Sequence, residues 1–221
     1  MIDRQAMKNM FRRIAESAGL YSLLRAEEKV PGPSDLRGEK ELDYGFVISH
    51  VPDTPGRAVD VGCVGSPLGS LLVHLGWQVD GVDIREMDWS GLDNLQFIRW
   101  DFANVQLPVE EYELVLLVST VEHAGLAGRY GARFSPNADL DVMRRAKSVI
   151  HAEGKLILTV PVGKDNVFSP WHRIYGVNRL PKLLGGFSIE SQRFWAKRIR
   201  FGPWCKVGKE EALAVRGGPA R

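Results

Sequence analysis

The residues best placed to do chemistry are two acids and two glycines in one short stretch: Asp60, Gly62, Gly65 and Asp83. The run before the first glycine, AVDV at 58–61, is small or β-branched, as a strand buried on both faces requires. Gly62 follows at its carboxyl end, where a residue without Cβ accepts positive φ and lets a ligand approach the backbone. Gly65 repeats that freedom. Leu68, Leu71, Leu72 and Leu75 then give a helix an apolar stripe, and Gly76 suits its stop. Val79 and Val82 belong to a second strand that ends in Asp83. Strand, glycine turn, helix and acid-tipped strand make a seat for an adenosine-containing ligand, with Asp83 accepting from ribose hydroxyls. Cys63 in the turn and Ile84 beyond Asp83 are expected to line the same seat.

A dinucleotide site wants G-x-G-x-x-G. Here Cys63 and Val64 separate the glycines, and Leu68 stands where the last one belongs. The stretch instead resembles motif I of the class I S-adenosylmethionine (SAM) methyltransferases, D-x-G-x-G-x-G. Asp60 and Gly62 match it, while Val64 and Ser66 replace the second and third glycines. The bland alternative is an α/β turn that holds no ligand.

The elements that must position these residues alternate along the chain. Leu95–Trp100 reads as a third strand closed by Asp101, EYELVLLVST at 111–120 as a fourth, apolar and therefore central, and GKLILTVPVG as a fifth. NADLDVMRRAKSVIHAEG reads as a helix with Val142, Ala146, Val149 and Ile150 inward. Further helices are expected over 4–29, 39–50 and 177–185, and a late strand pair at Phe187–Phe194 and Glu211–Val215. This pattern predicts an α/β, Rossmann-like doubly wound sheet, mostly parallel with an antiparallel last strand. A helical extension over 1–52, a ligand-binding domain over 53–216 and a disordered tail at 217–221 complete the organisation.

In such sheets ligands lie over the carboxyl ends of the strands, so residues just after strands carry most weight. The Asp101-Phe102 pair can bond an adenine amine and cover its ring, or it can cap a turn with a core aromatic. Ser119 ends the fourth strand, close to where a transferable methyl would lie. Next, Glu122-His123 resembles the "EH" that follows strand four in the ubiquinone-biosynthesis-like branch of the methyltransferases, where the His is often structural. HAGLAGRYG followed by VPVGKDNVFSPWHRIYG is similar to a smaller methyltransferase-like family associated with surface-polysaccharide and sugar pathways. The resemblance covers roughly residues 57–195. It implies SAM as cofactor and a small-molecule acceptor such as a sugar or sugar nucleotide.

Of the five histidines, His123 and His172 alone follow strands at the ligand edge, and either can serve as the base for an alcohol acceptor. A lone histidine is also commonly a hydrogen-bonded structural residue. Glu122, Arg129, Tyr130, Lys164 and Arg173 are candidates for a polar rim around a hydroxylated or anionic substrate, or for ordinary loop chemistry. No cluster with metal-ligand spacing is visible.

Composition sets bounds. A 44% hydrophobic content in 221 residues can fill one sizeable core, and no run is long and apolar enough for a membrane span. The N-terminus lacks the apolar core of a signal peptide, and the two cysteines, Cys63 and Cys205, suggest neither a disulfide framework nor a zinc site, so a reducing cytoplasm is expected. Residues 164–221 carry 12 basic and 4 acidic side chains. With RFWAKRIRFGPWCKVGK at 193–209, this keeps an RNA methyltransferase open as a lesser alternative, against which no separate RNA-binding module stands out. The missing glycines keep a second alternative open, a non-catalytic binding or scaffold protein. The N-terminal helix is a candidate for a substrate lid or for a homodimer contact.

Overall fold

Strand formation follows the β-branched and leucine-rich runs. Arg57–Val61 (β1), Gln78–Asp83 (β2), Leu95–Arg99 (β3), Tyr112–Val118 (β4) and Ile150–Thr159 (β5) pair in the order β3-β2-β1-β4-β5. The structure, a computed structural model, describes residues 38–87, 91–127, 130, 133–197 and 203–215. The chain divides into two compact units, 1–51 with 197–205, and 52–196 with 206–221. The expected helix over 4–29 and tail at 217–221 lie outside the described residues.

In the smaller unit, helix α1 (Glu39–His50) carries Glu39 and Glu41 in its first turn and His50 in its last, the charge order its dipole favours. Leu42, Asp43, Gly45 and Val47 are buried.

The larger unit holds the five-stranded sheet. β1 pairs in parallel with β2 and β4, β2 with β3, and β4 with β5. This is the Rossmann-like α/β arrangement that the strand–helix alternation predicts. The middle strand is β1, not β4 as its apolar run suggests; β4 lies between β1 and β5, and its Leu114, Val115, Leu116 and Leu117 are fully buried, as a strand covered on both faces must be. Helix α2 (Leu68–His74) returns the chain from β1 to β2 and buries Leu68 and Leu72. Helix α3 (Ala138–Val149) buries Val142, Met143, Ala146 and Val149, a stripe at helical spacing. It stops at Val149, earlier than the apolar pattern suggests, because Ile150 joins the sheet opposite Tyr112.

Beyond β5, Asn166–Phe168 (β6) and His172–Ile174 (β7) form an antiparallel hairpin. The expected 177–185 helix is the single turn Leu180–Leu183 (α4). Its approach is held by Asp165, whose carboxylate accepts from the backbone N–H groups of Gly176, Asn178 and Arg179 at 2.7, 2.9 and 3.1 Å. The late strand pair differs from expectation. Phe194–Lys197 (β8) and Trp204–Val207 (β9) form their own two-stranded sheet, and no antiparallel strand joins the main sheet among the described residues. Where a strand is expected at Glu211–Val215, Lys209–Ala214 forms helix α5. The sequence KEEALA explains this: strong helix formers follow Gly208, with Glu210 and Glu211 in the first turn.

Candidate functional site

The sheet order reverses between β1 and β4, the topological switch point where a crevice for ligand opens at the carboxyl ends of the strands. β1 delivers Asp60 there. Its side chain is buried, and Oδ2 has no hydrogen-bond partner among the described residues. Burial pushes its carboxyl up to about 7; a backbone N–H from Gly69 partly offsets this and neighbouring Asp83 adds to it. A buried acid in this condition calls for a positive group or a strong donor.

Gly62 has φ +76°. A Cβ there would lie 2.4 Å from Thr120 Oγ1 and 2.7 Å from its Cγ2. Thr120 Oγ1 in turn donates to the carbonyls of Val61 and Val118, at 2.9 and 3.2 Å. The chain's own threonine, bridging β1 and β4, is therefore sufficient by itself to require a glycine here. Gly65, at φ +84°, has open space where its Cβ would be. Cys63 is fully buried, and its thiol faces Gly81 of β2, whose Cβ would stand 3.0 Å from Sγ. Burial raises the Cys63 thiol far above its ordinary value, so it is a packing residue, and any ligand contact must come from its backbone.

Asp83 ends β2, as the spacing predicts, but its carboxylate is fully engaged. Oδ2 accepts from Val64 N–H at 3.0 Å and Arg85 Nη2 at 2.8 Å. Oδ1 accepts from Arg85 N–H at 2.9 Å and Arg85 Nε at 3.1 Å. The sequence reading missed Arg85. Its Nη2 also reaches Val64 O at 2.7 Å, and its guanidinium lies 4.9 Å from the centre of the Tyr130 ring. Ile84 is half-buried, and its carbonyl faces Arg99 Nε at 3.4 Å.

The end of β4 brings the second group of residues together. Ser119 adopts φ +53°, a conformation that a side chain tolerates only with local support. Two bonds to Thr159 hold its N–H, and its Oγ donates to Glu122 Oε1 at 2.9 Å. Glu122 is buried, and its Oε1 lies 3.9 Å from His123 Nε2. His123 Nδ1 meets the carbonyl of Trp171 at 2.5 Å. A carbonyl only accepts, so Nδ1 carries the proton and, in the neutral ring, Nε2 is the unprotonated nitrogen. The Tyr130 ring stands edge-on to His123, with centroids 5.5 Å apart. His172 opens β7 directly after Trp171, and its ring lies 5.5 Å from that of Phe168 across the hairpin. The structure thus joins Ser119, Glu122, His123, Tyr130 and Arg85 in one continuous wall. No local sequence signal points to the Trp171 carbonyl, since a backbone acceptor has no side-chain signature.

Other predicted residues stand apart from that wall. Asp101 is exposed and caps a turn, accepting from Ala103 N–H at 3.1 Å and Asn104 Nδ2 at 3.3 Å, while Phe102 is buried in the core. Arg173, expected at a substrate rim, is only 2% exposed. Its guanidinium donates to the carbonyls of Ala124 and Ser135, and its Nε lies 3.9 Å from buried Asp139. That makes it a brace joining Ala124, Ser135 and Asp139 rather than an exposed rim residue. Arg179 joins the brace through Nε to Asp139 Oδ2 at 2.9 Å. Lys164 is exposed. Arg129 lies outside the described residues, as do 198–202 of the basic stretch. Among the described residues no group of His, Cys, Asp and Glu converges to hold a metal ion, and no helix is long and apolar enough to cross a membrane.

The model of a family described as "Caenorhabditis protein of unknown function, DUF268" matches residues 84–194, half of the chain. The chain belongs to this family. The match begins directly after Asp83, so this DUF268 chain carries its glycine turn outside the matched region and the Glu122–His123 wall inside it. No protein of curated function matches. Among solved structures, the chain is similar to 1,6-didemethyltoxoflavin-N1-methyltransferase of Burkholderia thailandensis, crystallised with 1,6-didemethyltoxoflavin and S-adenosylhomocysteine. The identity is 15%, with 89% of this chain and 86% of that one covered and a TM-score of 0.55. A SAM-dependent methyltransferase from Archaeoglobus fulgidus aligns at 21% identity over 57% of this chain and 55% of its own, with a TM-score of 0.43. At 15% identity the first likeness is one of fold.

Proposed function

We propose that this DUF268 chain is a SAM-dependent methyltransferase acting on a small polar molecule, with O-methylation of a sugar or related hydroxylated metabolite as its reaction. The observation that carries the reading is the unpartnered Oδ2 of Asp60, buried at the switch point beside Asp83. SAM brings both a sulfonium and an ammonium, so the donor set fits: a cation settles Asp60, and a ribose diol suits an acid at the end of β2. Asp60, Gly65, Asp83, Ile84 and the backbone of Cys63 would hold the cofactor, with Ser119 near the methyl. When bound, SAM supplies an activated methyl for in-line attack.

The chain's own contribution is orientation and proton removal. Holding the acceptor in line can supply roughly 7–11 kcal/mol, and a positioned base about 10²–10⁴-fold more. His123 is the better-placed base. The Trp171 carbonyl fixes its tautomer, leaving Nε2 to take a hydroxyl proton. Glu122, buried 3.9 Å away, attracts the charge that the ring then acquires. His172 is the lesser candidate; its ring lies against that of Phe168 across the hairpin. Supplying S-adenosylmethionine with a panel of sugars and sugar nucleotides tests the reading. His123→Ala is expected to lower methyl transfer at least tenfold while leaving S-adenosylhomocysteine affinity unchanged. An unaltered rate across pH would remove His123 from the mechanism.

One observation favours a second reading, a non-catalytic binding protein on the same fold: Asp83 already has four donors. Calorimetry decides between the two. No heat and no thermal shift at millimolar S-adenosylhomocysteine would favour the binding protein.

A further inference from the structure

The geometry points to Arg85 as a latch on the ribose seat: its guanidinium holds the Asp83 oxygens that a vicinal diol needs, and a ribose-bearing ligand binds only when it leaves. This rests on the adenosyl reading above. A carboxylate has about four acceptor positions, and all four on Asp83 are filled. Two are filled by main-chain groups, Val64 N–H and Arg85 N–H, which are fixed by the fold. The other two are filled by Arg85 Nε and Nη2, one on each oxygen. A swing of the side chain releases these two together, one for each hydroxyl of a cis-diol.

The burial of the two partners explains why the chain would carry such a device. The Asp83 side chain is 3% exposed and that of Arg85 39%. The acid cannot turn to water for donors, so an empty seat would leave a buried charge poorly paired. Arg85 is exposed enough to supply donors without ligand and to be solvated once displaced. Its bond from Nη2 to Val64 O at 2.7 Å ties the latch to the glycine turn as well. Its place over Tyr130, which also meets His123 edge-on, sets the latch against the wall that would receive the acceptor.

The test is calorimetry on wild type, Arg85→Met and Arg85→Lys with S-adenosylhomocysteine, adenosine and 2′,3′-dideoxyadenosine. Arg85→Met is expected to bind the first two roughly three- to tenfold more tightly than wild type, the range a half-exposed ion pair supports, and to leave the dideoxynucleoside unchanged. Arg85→Lys, which keeps the cation with fewer donors, is expected to gain less. Weaker or unaltered adenosine binding by the variants, or an equal change for both nucleosides, overturns the latch. Should Arg85→Met fail to fold, as read by far-UV circular dichroism, Arg85→Lys decides by the same criterion. If wild type binds and the variants gain nothing, the latch alone falls. If no form binds S-adenosylhomocysteine, the adenosyl reading falls and takes the latch with it.

Discussion

The two ends of the central sheet treat a buried acid in opposite ways. Towards the amino end, Asp80 Oδ2 accepts from Tyr112 Oη at 2.5 Å and Arg57 Nη2 at 3.2 Å. Arg57 also lies over the Tyr112 ring and pairs with Glu111. Every partner there belongs to the fold itself. Towards the carboxyl end, Asp60 keeps one oxygen unpartnered, Asp83 leans on a half-exposed arginine, and Ser119 takes a left-handed backbone. An interior that satisfies its charges serves stability, whereas one that leaves a charge waiting is arranged for something that arrives.

Breaking this contrast should give effects of opposite sign. Asp60 has a folded-state carboxyl at about 7 against an ordinary 3.8. The folded chain therefore binds more protons than the unfolded one between those values, and stability falls as pH rises through that window. Asp60→Asn is expected to raise stability at pH 8 by roughly 2–4 kcal/mol, with little gain near pH 4, read as the difference in unfolding free energy from denaturant titrations. The same substitution should weaken S-adenosylhomocysteine binding by about tenfold or more. A variant destabilised at pH 8 would show that Asp60 is a structural acid like Asp80.

Gly62→Ala is the next largest. The new Cβ would fall 2.4 Å from Thr120 Oγ1 in a backbone region that disfavours side chains, so a loss of about 3 kcal/mol is expected in chemical unfolding. Adding Thr120→Ala should recover part of that loss, whereas a clash with ligand alone would leave unliganded stability untouched. Tyr112→Phe removes a buried hydroxyl donor from Asp80, with about 1–3 kcal/mol lost on thermal melting and no change in ligand affinity. Gly65→Ala is the smallest. Its φ of +84° opposes a side chain but no atom blocks one, so about 1 kcal/mol is expected, well below the Gly62 value.

Much of this was legible in the chain. The apolar runs gave the strands, and the β4 run marked a strand inside the sheet, though the middle place belongs to β1. Asp60 and Asp83 both reached the carboxyl edge, because a strand end fixes its last residues there. The spacing did not reveal what each acid touches. Arg85 lies two residues past Asp83, near enough for its side chain to fold back, yet nothing local distinguishes that arginine from a solvated one. Arg173 read as a rim residue because an arginine in a loop ordinarily faces water. Its burial depends on Asp139 and on the carbonyls of Ala124 and Ser135, all more than thirty positions away.

Periodicity and residue type alone determined the class of sheet and which edge of it matters, because burial of apolar faces is set by local pattern. Only the tertiary structure decided that Thr120 accounts for Gly62, that Trp171 fixes the tautomer of His123, and that Arg85 covers the oxygens of Asp83. Those are hydrogen bonds and contacts between side chains and backbone groups, and apart from Arg85 they cross long separations in the chain. Their partners are chosen by packing geometry, which no short-range pattern encodes.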